Sequence, residues 1–106
     1  MTDHLTVALA QLDLIVGDIA GNTERILEFA ERARDELQAD LVVFPELALS
    51  GYPPEDLLFH SGLRRRVIES VARIRDEVRG IAVLVGFPEY GNDSIYNACA
   101  VFDEGV

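Results

Sequence analysis

Leu41-Val42-Val43-Phe44-Pro45-Glu46-Leu47 is the stretch that decides the reading of this chain. Four apolar residues run into a proline and then a carboxylate. An apolar run of this length, rich in branched side chains, predicts a strand buried on both faces. Pro45 has no N–H to give to a ladder, so pairing is expected to stop there. Glu46 then stands just beyond the carboxyl end of a buried strand, where open α/β sheets place their ligands. Ser50-Gly51 and Pro53-Pro54 follow and predict that the chain leaves the sheet over this position.

Working outward, Leu5 to Leu12 is nearly all apolar or small and predicts a first, central strand, broken at Val16-Gly17-Asp18. Asn22-Thr23 offers a helix cap, with Glu24 in the first turn. Ile26, Ala30, Ala33 and Leu37, with Phe29 beside them, form one apolar helical stripe. The connection from Leu12 to Leu41 is long enough for a right-handed parallel crossover. Ser61 can cap a second helix, whose stripe is Leu63, Val67, Val71, Ile74 and Val78 and whose stop is Gly80. Ile81 to Gly86 predicts a third strand, Gly91-Asn92-Asp93 a turn, and Ile95 to Phe102 a fourth strand. Asp103-Glu104-Gly105 signals a hairpin turn with Val106 opening a further strand. The order β-α-β-loop-α-β-β specifies an α/β fold with a mixed, mostly parallel sheet. A chain that stops half-way through a hairpin is expected to be part of a larger domain.

The totals restrict function. The chain has 106 residues, 49% of them hydrophobic, which suits at most one domain with a real core. No apolar run is long enough to span a membrane, and Met1-Thr2-Asp3-His4 is not the start of a secretory signal. There are 19 acidic and 9 basic residues, and all nine basic residues are arginine. A net charge of −10 argues against nucleic acid and anionic membrane as partners. The single cysteine cannot form an internal disulfide, which fits a cytoplasmic protein.

Few residues can do chemistry. A carboxylate at the end of an apolar strand is partly desolvated, which raises its pKa toward that of a general base. Glu46 is therefore the leading catalytic candidate; the competing reading is that it caps a backbone amide or pairs with an arginine. Cys99, in Tyr96-Asn97-Ala98-Cys99-Ala100-Val101, reads as a small core residue of a strand, because no base or cation near it in sequence would generate a thiolate. His4 and His60 stand alone, so no metal site is expected. No phosphate-binding or dinucleotide-binding glycine motif is present. Arg64-Arg65-Arg66 is either a solvated helix face or a patch for a phosphate or a partner.

Val7-Ala8-Leu9-Ala10-Gln11-Leu12, Gly17-Asp18 with Asn22, and Phe44-Pro45-Glu46-Leu47 resemble the amino-terminal part of the nitrilase, or carbon–nitrogen hydrolase, superfamily. Phe44 through Leu58, with its Pro53-Pro54-Glu55-Asp56-Leu57-Leu58 extension, resembles more specifically the glutaminase domains of glutamine-dependent NAD synthetases. Gly86-Phe87-Pro88-Glu89 and Tyr96-Asn97-Ala98 fit the same group. The resemblance implies that residues 1–106 are the amino-terminal part of such a domain. The implied fold is part of an α-β-β-α sandwich, with the synthetase domain absent.

It also implies a mechanism built on a glutamate, a lysine and a cysteine. Glu46 corresponds to the glutamate, the general base. Tyr52 falls in the loop that lines the glutamine pocket, or packs within that loop. The chain holds no lysine, and Cys99 does not match the family cysteine, so two of the three groups lie elsewhere and these residues alone are expected to be inactive. Glutamine is the implied substrate, and the synthetase domain and further copies of the chain are the implied partners. No cofactor is expected within these residues; ATP and magnesium are implied for the synthetase domain. A stand-alone amidase of the superfamily and a non-catalytic α/β binding module remain as alternatives.

Overall fold

A computed structural model describes residues 4–12, 14–15, 18–45, 48, 61–90 and 95–106. The elements run in the order β1 (Val7–Leu9), α1 (Ile19–Asp35), β2 (Leu41–Val43), α2 (Ser61–Glu77), β3 (Ala82–Tyr90) and β4 (Ile95–Phe102). They build a four-stranded sheet in the order β1-β2-β3-β4. The first three strands are parallel and β4 runs antiparallel to β3. This is the α/β class and mixed sheet expected from the sequence.

Two right-handed crossovers that step the same way along a sheet place both helices on one face. Burial follows that rule. Val42, Val83 and Val85 are buried, and register aligns Ala8, Val42 and Val83 across the parallel strands. They pack with Ile26, Ala30 and Ala33 of α1 and Val67 and Ile74 of α2 in one core cluster. The alternate residues point the other way. Val7 and Leu9 of β1 and Val101 of β4 are exposed there, and Leu41, Val43 and Leu84 are half-buried. The described residues therefore supply one helix layer and one sheet layer, with the second sheet face apolar and open.

The strands depart from expectation in two places. β1 is an outer strand among the described residues, not a central one, and it is short. Its backbone bonds to β2 run only from Thr6, whose carbonyl accepts from Asp40, to Ala10, whose N–H donates to Val43. β3 does not stop at Gly86 but runs through Phe87-Pro88-Glu89 to Tyr90. The Leu84 carbonyl accepts from the Phe44 N–H on the β2 side. Strand alternation points the nitrogen of Pro88, four residues on, to that same side, where the register with β2 has already ended at Leu84. A proline at that point removes no ladder bond.

The helix ends also differ from expectation. Asn22 and Thr23 are not the cap of α1; both lie inside the helix and are 1% exposed. Asp18 is the cap, and its Oδ1 accepts from the Gly21 N–H at 3.0 Å. A Cβ at Gly21 would lie 2.2 Å from Asp18 Oδ2, so the carboxylate closes tightly over the glycine and would have to shift for any larger residue. Leu37 does not complete the stripe. The helix has ended at Asp35, Gln38 turns into the left-handed region at φ 53°, and Leu37 is exposed. Helix α2 keeps the expected Val67, Ile74 and Val78 buried and Val71 half-buried. Gly80 follows it at φ +79°, a conformation suited to a residue without a Cβ.

Arg73 on α2 pairs with both Glu24 on α1 and Glu77 on its own helix, tying the two helices together. Beyond β4, Asp103 and Val106 exchange backbone hydrogen bonds at 3.3 and 3.2 Å. Glu104 and Gly105 between them have φ of 55° and 85°. Two successive positive φ values are those of the type I′ turn that closes tight hairpins, as the Asp103-Glu104-Gly105 signal predicts.

Candidate active site

The end of the sheet that follows Val43 collects the features that matter. The chain leaves β2 there, and the short link from Glu77 to Ala82 fixes the far end of α2 at the start of β3. Because β2 and β3 are parallel, the first turns of α2 lie back toward the carboxyl ends of the strands. Register pairs Val43 with Leu84, so β3 continues six residues past β2, about 20 Å of extended chain. The β3–β4 hairpin thus rises along one side of this end, with Glu89 exposed and in register with the exposed Tyr96.

The described residues nearest the candidate base along the chain are Phe44, Pro45 and Ala48. The Phe44 N–H donates to the Leu84 carbonyl at 3.0 Å, and the Ala48 N–H donates to the Pro45 carbonyl at 3.1 Å. Phe44 and Ala48 are buried, at 4% and 1% exposure. Glu46 itself and Tyr52 both lie outside the described residues, as does the Pro53-Pro54-Glu55-Asp56 extension.

Cys99 is placed differently from the sequence reading. It is an exposed, free thiol, not a core residue. Its partner in register is Gly86, which has no side chain to cover it, and both belong to the alternation that points away from the helices. Among the described residues, no group of three or more His, Cys, Asp or Glu side chains could hold a metal ion. No helix of the described residues is long and apolar enough to cross a membrane.

The charged side chains mostly serve the helices. The Arg34 guanidinium bonds the Asp35 carboxylate and holds it below its ordinary pKa; Arg75 does the same for Asp76. Arg73 is raised above its ordinary value by its bonds to Glu24 and Glu77. All of these groups are at the surface. A recess of about 250 Å³ lies beside the outer strand, lined by Leu9, Gln11, Leu12, Phe29, Arg32 and Leu37 among others. It contains no candidate catalytic residue and sits against the edge of β1, not beyond β2.

A model of the carbon-nitrogen hydrolase family matches residues 6–106, almost the whole chain. The chain belongs to the carbon-nitrogen hydrolase family. Glutamine-dependent NAD(+) synthetase of Xanthomonas campestris is 48% identical over 106 residues, which are 99% of this chain and 19% of that protein. A solved structure of glutamine-dependent NAD+ synthetase from Acinetobacter baumannii superimposes with a TM-score of 0.89 at 39% identity, covering 96% of this chain and 19% of that one. An amidase from Nesterenkonia superimposes with a TM-score of 0.83 at 28% identity, covering 96% of this chain and 39% of that one. In that amidase structure, of a glutamate-to-glutamine variant, the acetamide moiety of fluoroacetamide is added covalently to the active-site cysteine. The chain thus spans about a fifth of the length of the synthetases it matches and corresponds to their amino-terminal part.

Proposed function

We propose that these residues are the amino-terminal part of a glutaminase domain within a glutamine-dependent NAD synthetase, and that Glu46 is its general base. The observation that carries the reading is 48% identity to such a synthetase across 99% of the chain. It is joined by the place of Glu46 in the chain, three residues after the last residue of β2 and two after the buried Phe44. Open α/β sheets bind ligands in the crevice beyond the carboxyl ends of their strands.

In the proposed reaction Glu46 takes the proton of a cysteine thiol, and the sulfur attacks the side-chain carbonyl of glutamine. The tetrahedral intermediate collapses to a thioester as Glu46 returns the proton to departing ammonia. Glu46 then activates water, which releases glutamate and frees the thiol. A lysine stabilises the developing oxyanion. The lysine and the nucleophile come from residues outside these 106, since the chain has no lysine and Cys99 lies on the open sheet face. Tyr52 lines the glutamine pocket. Ammonia passes to a synthetase domain, which uses ATP and magnesium to amidate nicotinic acid adenine dinucleotide.

In the complete protein, Glu46→Gln abolishes NAD formation from glutamine and preserves NAD formation from free ammonia. Equal loss of both would overturn the assignment. The likeness to the Nesterenkonia amidase favours a second reading, a stand-alone amidase. A complete protein that hydrolyses simple amides and forms no NAD from either nitrogen source would establish that reading instead.

A further inference from the structure

Asn22 occupies a place in the buried stripe of α1 that Ile19, Ile26, Ala30 and Ala33 fill with apolar groups. Burying an amide there costs desolvation unless its bonds are made. It bonds Ile15, donating from Nδ2 to the carbonyl at 2.8 Å and accepting at Oδ1 from the N–H at 3.0 Å. The helix end is closed without this grip. Asp18 caps the first turn through Gly21, and the Asp18 N–H bonds the same Ile15 carbonyl at 3.1 Å. What Asn22 adds is a hold on the Ile15 N–H, and with it a fixed direction for the chain there. Ile15 is itself 64% exposed, so the grip does not serve to bury its side chain.

The gripped segment leads toward the candidate base through bonds that can be followed. Residues 10–18 join the carboxyl end of β1 to α1. At their start the Ala10 N–H donates to the Val43 carbonyl at 2.9 Å, and on the other side the Phe44 N–H donates to the Leu84 carbonyl at 3.0 Å. The Val43 carbonyl and the Phe44 N–H belong to one peptide unit. The last unit of β2 is therefore held between the segment after β1 and β3, and Glu46 follows Phe44 by two residues. Side chains repeat the connection. Leu12 and Leu14 pack against the core cluster that contains Ile19, Phe44 and Ala48. A buried polar group with its bonds made rigidifies its surroundings and selects one arrangement. Asn22 is such a group, at the far end of the segment that Ala10 ties to β2.

We propose that Asn22 is a positioning residue for glutamine hydrolysis. By holding Ile15 it fixes the segment between β1 and α1, and through Ala10, Leu12 and Leu14 that segment fixes the strand end from which the chain runs to Glu46. This inference rests on the glutaminase reading above and adds to it a residue that acts on the base without touching glutamine. A small displacement of a reacting group costs rate through lost alignment, which is used in the chemical step.

The test uses the complete protein and measures glutamate release, NAD formation from free ammonia and denaturant unfolding on the same preparations. In Asn22→Ala, kcat for glutamine falls roughly tenfold to a hundredfold, the scale for a slightly misplaced reacting group. KM for glutamine and ammonia-driven NAD formation hold at the parent level. Asn22→Asp separates positioning from stability. Its carboxylate still accepts from the Ile15 N–H, so its kcat lies between those of Asn22→Ala and the parent, although it buries a charge and is the less stable of the two variants. Thr23→Ala removes an equally buried bond, to the Ile19 carbonyl, and leaves Ile15 held. It lowers stability and keeps the parent kcat. A parent-level kcat in folded Asn22→Ala would overturn the proposal. So would a kcat that follows stability, lowest in Asn22→Asp and lowered in Thr23→Ala as well, which would leave Asn22 a structural residue only. A raised KM with kcat kept would also overturn it, by assigning Asn22 to the substrate pocket. Absence of glutamate release in the parent protein would instead refute the glutaminase reading.

Discussion

The side chain of Asn22 grips both backbone groups of Ile15, whose carbonyl also accepts from the Asp18 N–H at 3.1 Å. Its Nδ2 donates to the Ile15 carbonyl at 2.8 Å, and its Oδ1 accepts from the Ile15 N–H at 3.0 Å. Asn22 is 1% exposed, so its side chain meets these bonds from inside the fold. This one amide pins the segment after β1 to the first turn of α1. Thr23 beside it closes onto its own helix, donating from Oγ1 to the Ile19 carbonyl at 2.7 Å.

Replacing Asn22 by Ala is therefore expected to destabilise the protein by about 1 kcal/mol, since the Ile15 N–H loses its partner while the Ile15 carbonyl keeps the Asp18 N–H. Asn22→Asp is expected to cost more, because it keeps the acceptor, removes the donor and buries a charge. Denaturant unfolding of the two variants against the parent measures both the size and the order.

These residues also show where sequence reading succeeds and fails. Asn22-Thr23 has cap chemistry, but so does Asp18, and it is Asp18 that stands directly before the first helical residue, Ile19. The periodicity of Ile26, Ala30 and Ala33 was legible because one buried face repeats every three or four residues. Leu37 was misread because periodicity does not report where the helix stops. The exposure of Cys99 was hidden for a different reason: a strand residue among apolar neighbours is buried only if something covers its face. The strand ahead of Glu46 was legible from four apolar residues and a proline. The roles of Glu46 and Tyr52 came from resemblance, since neither spacing nor composition distinguishes a catalytic carboxylate from a capping one.

Acid should weaken the helix surfaces in a defined direction. Arg34 and Arg75 lower the carboxyl pKa of Asp35 and Asp76 from 3.8. A lowered folded-state value means that the stabilisation is complete above the unfolded value and is lost as pH falls through the folded one. Asp35→Asn/Asp76→Asn is thus expected to lower the unfolding midpoint slightly near neutral pH and to match the parent at pH well below the carboxylate range. Both carboxylates are at the surface, so added salt should shrink the neutral-pH difference. A difference that persists in strong acid would mean that packing, not charge, is responsible.

Cys99 faces away from the helices opposite Gly86. If the nucleophile lies elsewhere in the protein, Cys99→Ser in the complete protein should leave glutamine hydrolysis at the parent level. Trapping with an electrophilic glutamine analogue should still label that variant. Loss of both hydrolysis and labelling, with the fold retained, would make Cys99 the nucleophile.

Tyr52 provides the sharpest separation between binding glutamine and holding a loop. A pocket residue that contacts substrate in ground and transition states alike raises KM when removed and leaves kcat in place. Tyr52→Ala is therefore expected to raise KM for glutamine and leave ammonia-driven NAD formation untouched. Tyr52→Phe distinguishes the hydroxyl from the ring: a hydrogen bond to substrate makes it resemble Ala, and a packing contact makes it resemble the parent. If Tyr52 instead packs within the loop that follows Glu46, Tyr52→Ala lowers kcat for glutamine by displacing the base. Steady-state kinetics with glutamine and with ammonia, on the same preparations, distinguish these outcomes.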